Sequence, residues 1–155
     1  MNIYLLAVGN KMPDWVTKGY HEYAKRLNSD CYLKLIEIAP GKRGKNADLV
    51  RIKKTEGDKI LQAIPKGCLV VALEVTGKPW NTQELSQQLD HWLHGGQDVA
   101  LLIGGPEGLS DACVARADVK WSLSPLTLPH PLVRVLLSEQ LYRAYSILKK
   151  HPYHR

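Results

Sequence analysis

The chain has 155 residues, 45% of them apolar and 23% charged. That length and balance describe one globular domain with its own core and exclude a disordered segment. Lys and Arg total 21 against 15 acids, and the resulting +6 favours polyanion partners without requiring one. Cys31, Cys68 and Cys113 are widely spaced and form no C-x-x-C pair. This pattern points to a reducing compartment, with each thiol acting as a small core hydrophobe, and it argues against a zinc site. The opening "MNIYLLAVGNKMPDW" carries neither a basic leader nor a long apolar region. No signal peptide is therefore expected, no stretch is long enough to span a membrane, and the expected location is cytoplasmic.

In chain order, "NIYLLAV" (2–8) reads as a strand closed by Gly9. Val16, Tyr20, Tyr23 and Leu27 then recur at helical spacing. "CYLKLIEI" (31–38) is a second strand, and "GKRGKNADLVRIKK" (41–54) is a charged interruption. "CLVVALEV" (68–75) is a third strand. Asn81 and Glu84 then fit a capping pattern, Leu85, Leu89, Trp92 and Leu93 give an apolar stripe, and Gly95 and Gly96 stop the helix. "VALLI" (99–103) and "VKWSLS" (119–124) are the fourth and fifth strands. The last helix begins near Pro131, a residue tolerated in a first turn, and runs past Leu148 to end before "HPYHR". Alternating strands and helices with continuous apolar strands imply a parallel α/β sheet covered on both faces, in a single domain over 1–155.

In such sheets ligands gather beyond the carboxyl ends of the strands. Three candidate loops follow Leu73, Ile103 and Leu123. The second, "GGPEG", has neither the G-x-G-x-x-G order nor the Gly-Lys-Ser/Thr ending of the common phosphate cradles. Gly104 and Gly105 would let a ligand approach the backbone, or would simply make a tight turn. On the first reading, Gly105→Arg abolishes ligand binding and leaves the fold intact. The third loop, "LSPLTLPHPLV" (123–133), has three prolines and no charge before His130. It suits a pocket wall whose backbone reads polar ligand edges, or a rigid connector packed on the sheet.

"LLIGGPEGL", "SLSPLTLPHPLVRVLLSEQLYRAYSI" and the terminal "HPYHR" resemble the small bacterial methyltransferases of the SPOUT superfamily, in particular the ribosomal RNA large subunit methyltransferase H family. "AVGNKMPDW", "GKRGKNAD" and "GKPW" carry the resemblance across nearly the whole chain. The resemblance implies an α/β fold with a C-terminal trefoil knot and S-adenosylmethionine as methyl donor. It implies a homodimer that methylates N3 of a pseudouridine in 23S ribosomal RNA on assembled ribosomes. Carried over residue by residue, it places the cofactor against Leu73, Gly104, Gly105, Leu123, Ser124, Pro125, Leu126, Thr127 and Leu128. It also has the tail of one subunit complete the other subunit's pocket.

N3 of a pseudouridine carries a proton, so transfer requires alignment with the methyl and a route for that proton. His130 lies nearest the expected pocket, and two roles are open to it: a base near neutrality, or a hydrogen bond to the loop backbone. Tyr153 and His154 are candidate substrate contacts or proton handlers, against the ordinary fraying of a chain end. Lys42, Arg43, Lys45, Arg143 and Arg155 are candidate RNA contacts through phosphate, although such a charge run is commonly just a solvated surface. Lys78 and Trp80 flank the pocket mouth or, for Trp80, anchor the core. Arg134 and Glu139 receive no catalytic role. His151 and His154 lack a third ligand, so no metal is expected. Two other classes remain: a non-catalytic ribosome-associated module of the same fold, and a flavodoxin-like nucleotide enzyme, which would lack its phosphate loop. Heat on titration with S-adenosylmethionine separates the first reading from these.

Overall fold

A computed structural model describes residues 1–154. Five strands, β1 (Asn2–Val8), β2 (Tyr32–Ile38), β3 (Leu69–Pro79), β4 (Val99–Ile103) and β5 (Val119–Ser122), form one sheet in the order β2-β1-β4-β3-β5. Every pairing is parallel. The helices are α1 (Asp14–Ala24), α2 (Leu49–Ala63), α3 (Thr82–His94), α4 (Asp111–Arg116) and α5 (His130–Leu148), followed by a 3-10 turn at Pro152–His154.

Strand periodicity divides the core into two layers. Ile3, Leu5 and Ala7 of β1 point to one face with Val99, Leu101 and Ile103 of β4; that face packs against Tyr20 of α1, Leu89 of α3 and Leu137 and Leu141 of α5. Leu6, Val8, Ala100 and Leu102 point to the other face, with Ile60 of α2 and Cys113 of α4. All five residues of β4 are buried, which is why a central strand reads as an unbroken apolar run. Leu101 and Leu102 are fully buried, and each contributes about 1.5–3 kcal/mol of burial free energy.

The helix boundaries follow local chemistry. Asn81 accepts from the Glu84 amide while Glu84 accepts from the Asn81 amide, closing the capping box that starts α3. The α1 pattern holds at Val16 and Tyr20, but Tyr23 is only half-buried and Leu27 is buried beyond the helix end.

Three expectations are corrected. The charged stretch 41–54 is not an interruption throughout: α2 begins at Leu49, capped by Asp48, whose carboxylate accepts from the Arg51 amide. β5 ends at Ser122, two residues short of the expected 124. β3 does not end at Val75 but continues to Pro79, with a bulge between Leu73 and Lys78, both of which pair with Trp121. Gly77 is required in that bulge, since a Cβ there would sit 2.7 Å from the Trp121 amide nitrogen. The expected loop after Leu73 is thus a strand bulge.

Candidate active site

A two-lobed cleft opens at the carboxyl ends of β3, β4 and β5. One lobe, about 130 Å³, is walled by Leu73 and Val75 from β3, Ile103 from β4, residues 123–124 and 126–128, and Val133 of α5. The second, about 410 Å³, shares Ile103, Thr127, Leu128 and Val133 and extends along Gly104, Gly105 and Pro106 to His130. Among the described residues, no Lys, Arg, Asp or Glu lines either lobe. Eight of the nine expected cofactor residues lie in these walls: Leu73, Gly104, Gly105, Leu123, Ser124, Leu126, Thr127 and Leu128. Pro125 does not line either lobe and is exposed. The Leu126 side chain, 70% exposed, forms an open apolar rim.

The glycine turn is shaped by its own packing. A Cβ on Gly104 would collide with the Gly108 carbonyl carbon and lie 2.5 Å from the Leu109 amide nitrogen. A Cβ on Gly105 would meet Glu56 Oε1 at 3.0 Å, Arg43 Nη2 at 3.1 Å and Val8 Cγ1 at 3.3 Å. Both missing side chains would therefore point into protein. The glycines are demanded by the turn, and Gly105→Arg would not spare its surroundings as the sequence suggested. Gly108 sits at φ +83, and its amide donates to the Gly105 carbonyl at 2.9 Å.

His130 opens α5 and lines the second lobe, but both its ring nitrogens are engaged. Nδ1 lies 3.0 Å from the Gly104 carbonyl, which can only accept, so Nδ1 carries the proton. Nε2 faces Arg134 Nη2 at 3.4 Å, which can only donate, so its lone pair points at a cation. Burial first, and the Arg134 charge second, hold the imidazole below its usual pKa, partly offset by the Gly104 bond. A neutral, doubly engaged His130 braces the turn. Of its two roles, the backbone hydrogen bond is the one this geometry displays.

Arg134 is the hub that sequence reasoning missed. It is 2% exposed, donates to the Gly9 carbonyl and to Glu37 Oε2, each at 2.8 Å, and so ties the ends of β1 and β2 to α5. A charged residue at an inward helix position gives no sequence signal of its partners.

The tail folds back on its own helix. The Tyr153 hydroxyl donates to Glu139 Oε1 at 3.0 Å, and its ring packs on Tyr142 with centroids 4.7 Å apart. Arg143 bonds the same Glu139 oxygen at 2.8 Å through Nε and lies over the Tyr153 ring. Burial and the Glu139 carboxylate push the Tyr153 phenol up to about 12. Glu139 is nine residues beyond His130 on one helix, an axial separation of about 13 Å between those two positions, and Tyr153 is anchored at the Glu139 end. His154 borders a separate hollow with Ile147, Lys150 and Pro152. Arg155 lies outside the described residues.

The basic loop divides. Lys42 and Lys45 are exposed. Arg43 has all five N–H groups engaged: Nε and Nη2 with Glu107, Nη1 and Nη2 with Glu56, and Nη1 with the Gly41 carbonyl. It has no donor left for a phosphate. Trp80 stacks on Trp121 at 5.1 Å and is a core anchor. The three cysteines are free and buried. Among the described residues no helix is long and apolar enough to cross a membrane, and no three His, Cys, Asp or Glu gather as metal ligands.

The family model described as "Predicted SPOUT methyltransferase" matches residues 1–154. A protein of Thioalkalivibrio sulfidiphilus (strain HL-EbGR7) named ribosomal RNA large subunit methyltransferase H is 64% identical over all 155 residues, covering 99% of its own length. A protein of the same name from Hahella chejuensis (strain KCTC 2396) shows the same identity and coverage. A putative methyltransferase of Legionella pneumophila, solved with bound cofactor SAM, shares the fold at TM-score 0.50 and 13% identity, over 94% of this chain and 66% of that one. A family match that runs from the first residue through the tail, over a cleft built at the sheet's carboxyl rim, makes this chain a SPOUT methyltransferase.

Proposed function

We propose that the chain transfers a methyl group from S-adenosylmethionine to N3 of a pseudouridine in 23S ribosomal RNA, acting in the cytoplasm on assembled ribosomes as a homodimer. The observation that carries this reading is the full-length 64% identity to proteins named ribosomal RNA large subunit methyltransferase H. The trefoil knot and the single catalytic domain belong to the same reading.

The residues present suit this cofactor. When bound, it supplies an electrophilic methyl on a positively charged sulfonium. A cleft walled by Leu73, Ile103, Leu128 and Val133 accepts a flat adenine by apolar burial. Among the described residues no Lys or Arg lines the walls, which spares the sulfonium a repelling neighbour there. Ser124 and Thr127 add hydroxyls at the rim of an otherwise apolar lobe.

His130 holds the Gly104 carbonyl in place and keeps its lone pair on Arg134, so it acts by shaping the wall. Tyr153 stays protonated near neutrality and works as a donor or a stacking surface for a base. Its anchorage to Glu139 and Tyr142, beyond the first turn of α5, supports the two-subunit arrangement, in which one copy's Tyr153 and His154 close the other copy's pocket. Lys42, Lys45, Arg143 and Arg155 supply phosphate contacts to RNA.

Two measurements test the reading. Mass mapping of 23S ribosomal RNA from a strain lacking the protein, before and after adding it back, should show one methyl lost and regained at a pseudouridine. Purified protein should methylate assembled ribosomes far better than naked RNA, since so small a chain relies on a large preformed surface. Unchanged RNA mass in the deletion strain would overturn the assignment.

A further inference from the structure

Behind the glycine turn lies a charged cluster with no part in the cofactor wall itself. Glu56 on α2 is 3% exposed, and a buried carboxylate must be paired. Its partner is Arg43, at 2.8 and 2.9 Å through two separate nitrogens. The same guanidinium grips Glu107, at 2.6 and 3.1 Å, and Glu107 lies inside the turn between Gly105 and Gly108. The Gly41 amide closes the cluster by donating to Glu56 Oε2 at 2.9 Å. Two bidentate carboxylate pairs on one guanidinium fix its plane, which a lysine ammonium cannot reproduce.

The position of the clasp matters as much as its strength. The empty Cβ direction of Gly105 faces Arg43 and Glu56 at 3.0–3.1 Å, so the clasp forms the floor on which the turn rests. The opposite side of the same turn lines the cleft. Arg43 also stands one residue from Lys42 and two from Lys45, both exposed. A single side chain thus joins the cofactor wall to the basic loop.

We propose that Arg43 is a positioning residue: bridging Glu56 and Glu107, it holds the Gly104–Gly105 wall in its cofactor-binding shape and fixes where Lys42 and Lys45 meet the RNA. This rests on the proposed methyl transfer to ribosomal RNA and adds a role to a residue that sequence alone would assign to phosphate.

Glu107→Ala is the clean test, because it frees the turn and leaves the buried Arg43–Glu56 pair intact. Amide exchange at residues 104–109 should speed up while the melting temperature stays near that of the wild type. If the binding shape falls to about a tenth of the population, affinity for S-adenosylmethionine weakens about tenfold. KM for S-adenosylmethionine should rise more than kcat falls, since saturating cofactor restores the turn. A merely structural role would lower the active fraction, hence kcat, and leave KM alone. Arg43→Lys, which keeps charge but not the fork, should shift KM in the same direction and additionally weaken ribosome binding. Wild-type exchange at 104–109 and wild-type cofactor affinity in Glu107→Ala would overturn the proposal. If the wild-type protein takes up no S-adenosylmethionine, the functional reading fails instead, and the exchange rates still decide whether the clasp holds the turn.

Discussion

Arg134→Ala should be the most damaging side-chain truncation outside the apolar core. The side chain is 2% exposed, and its Nη2 satisfies the carbonyl of Gly9, itself buried. Truncation leaves that carbonyl without a donor, which costs about 1–3 kcal/mol. It also breaks the pair with Glu37, whose side chain is 37% exposed. Water reaches that carboxylate, so this share falls below the usual 3–5 kcal/mol for breaking a buried pair. Together with lost packing, a net loss of about 3 kcal/mol is expected. For a chain of this size that is a drop of about 6–12 °C in melting temperature.

The assay is thermal and urea unfolding, with Arg134→Met as companion. Methionine refills much of the volume without the charge, so it separates packing from electrostatics. In Arg134→Met the His130 pKa, followed by its ring proton resonances, should rise, because the removed cation had been holding it down. It should still fall short of the ordinary value, because burial is the larger cause. A melting temperature within about 2 °C of wild type in Arg134→Ala, or an unmoved His130 titration in Arg134→Met, would refute the hub.

Stability should rise with pH from the lowered folded pKa of His130 up to its unfolded value near about 6.5, because the unfolded chain binds more protons there. The wild-type minus His130→Gln difference isolates this slope in pH-dependent unfolding, and a flat difference would contradict it. Gly104→Ala should fail to fold stably or lose well over about 2 kcal/mol, read by unfolding, since its Cβ collides with the backbone of Gly108. Leu126→Asp should leave stability within about 0.5 kcal/mol while weakening S-adenosylmethionine binding by calorimetry, because the residue is an exposed rim rather than core. Spectroscopic titration should find the Tyr153 phenol ionising near 12, falling toward the ordinary value in Glu139→Gln.

The residues that speak locally were readable. β1 and β4 fall where their apolar runs put them, and α3 is framed by Asn81, Glu84 and Gly95. α2 was hidden because its buried face is Glu56, Gly57 and Ile60, while Leu49 and Val50 are exposed. The apolar residues that pack on the core, Ile60, Leu61 and Ala63, come only at its carboxyl end, beyond the charged run. Gly57 faces inward because α4 leaves no room: a Cβ would collide with Ser110. The cleft walls were legible through their lack of charge. The clasp and the hub were not, because Arg43 and Arg134 look like any surface arginine until the fold brings Glu56, Glu107 and Gly9 to them.

The layout of α5 supports the proposed pairing of two copies. Its first turn supplies His130 and Val133 to the cleft, and its middle carries Glu139, Tyr142 and Arg143 under the tail. A straight helix cannot bring its middle to its own first turn. Tyr153 is held to that middle by the Glu139 bond and by the Tyr142 and Arg143 contacts, so it does not swing to the cleft without giving these up. The cleft is meanwhile open on the side where Leu126 stands exposed. In the proposed pair, a second copy whose helix crosses the first would bring its tail to that open side. Each α5 would then serve two pockets, the near one through His130 and the far one through Tyr153.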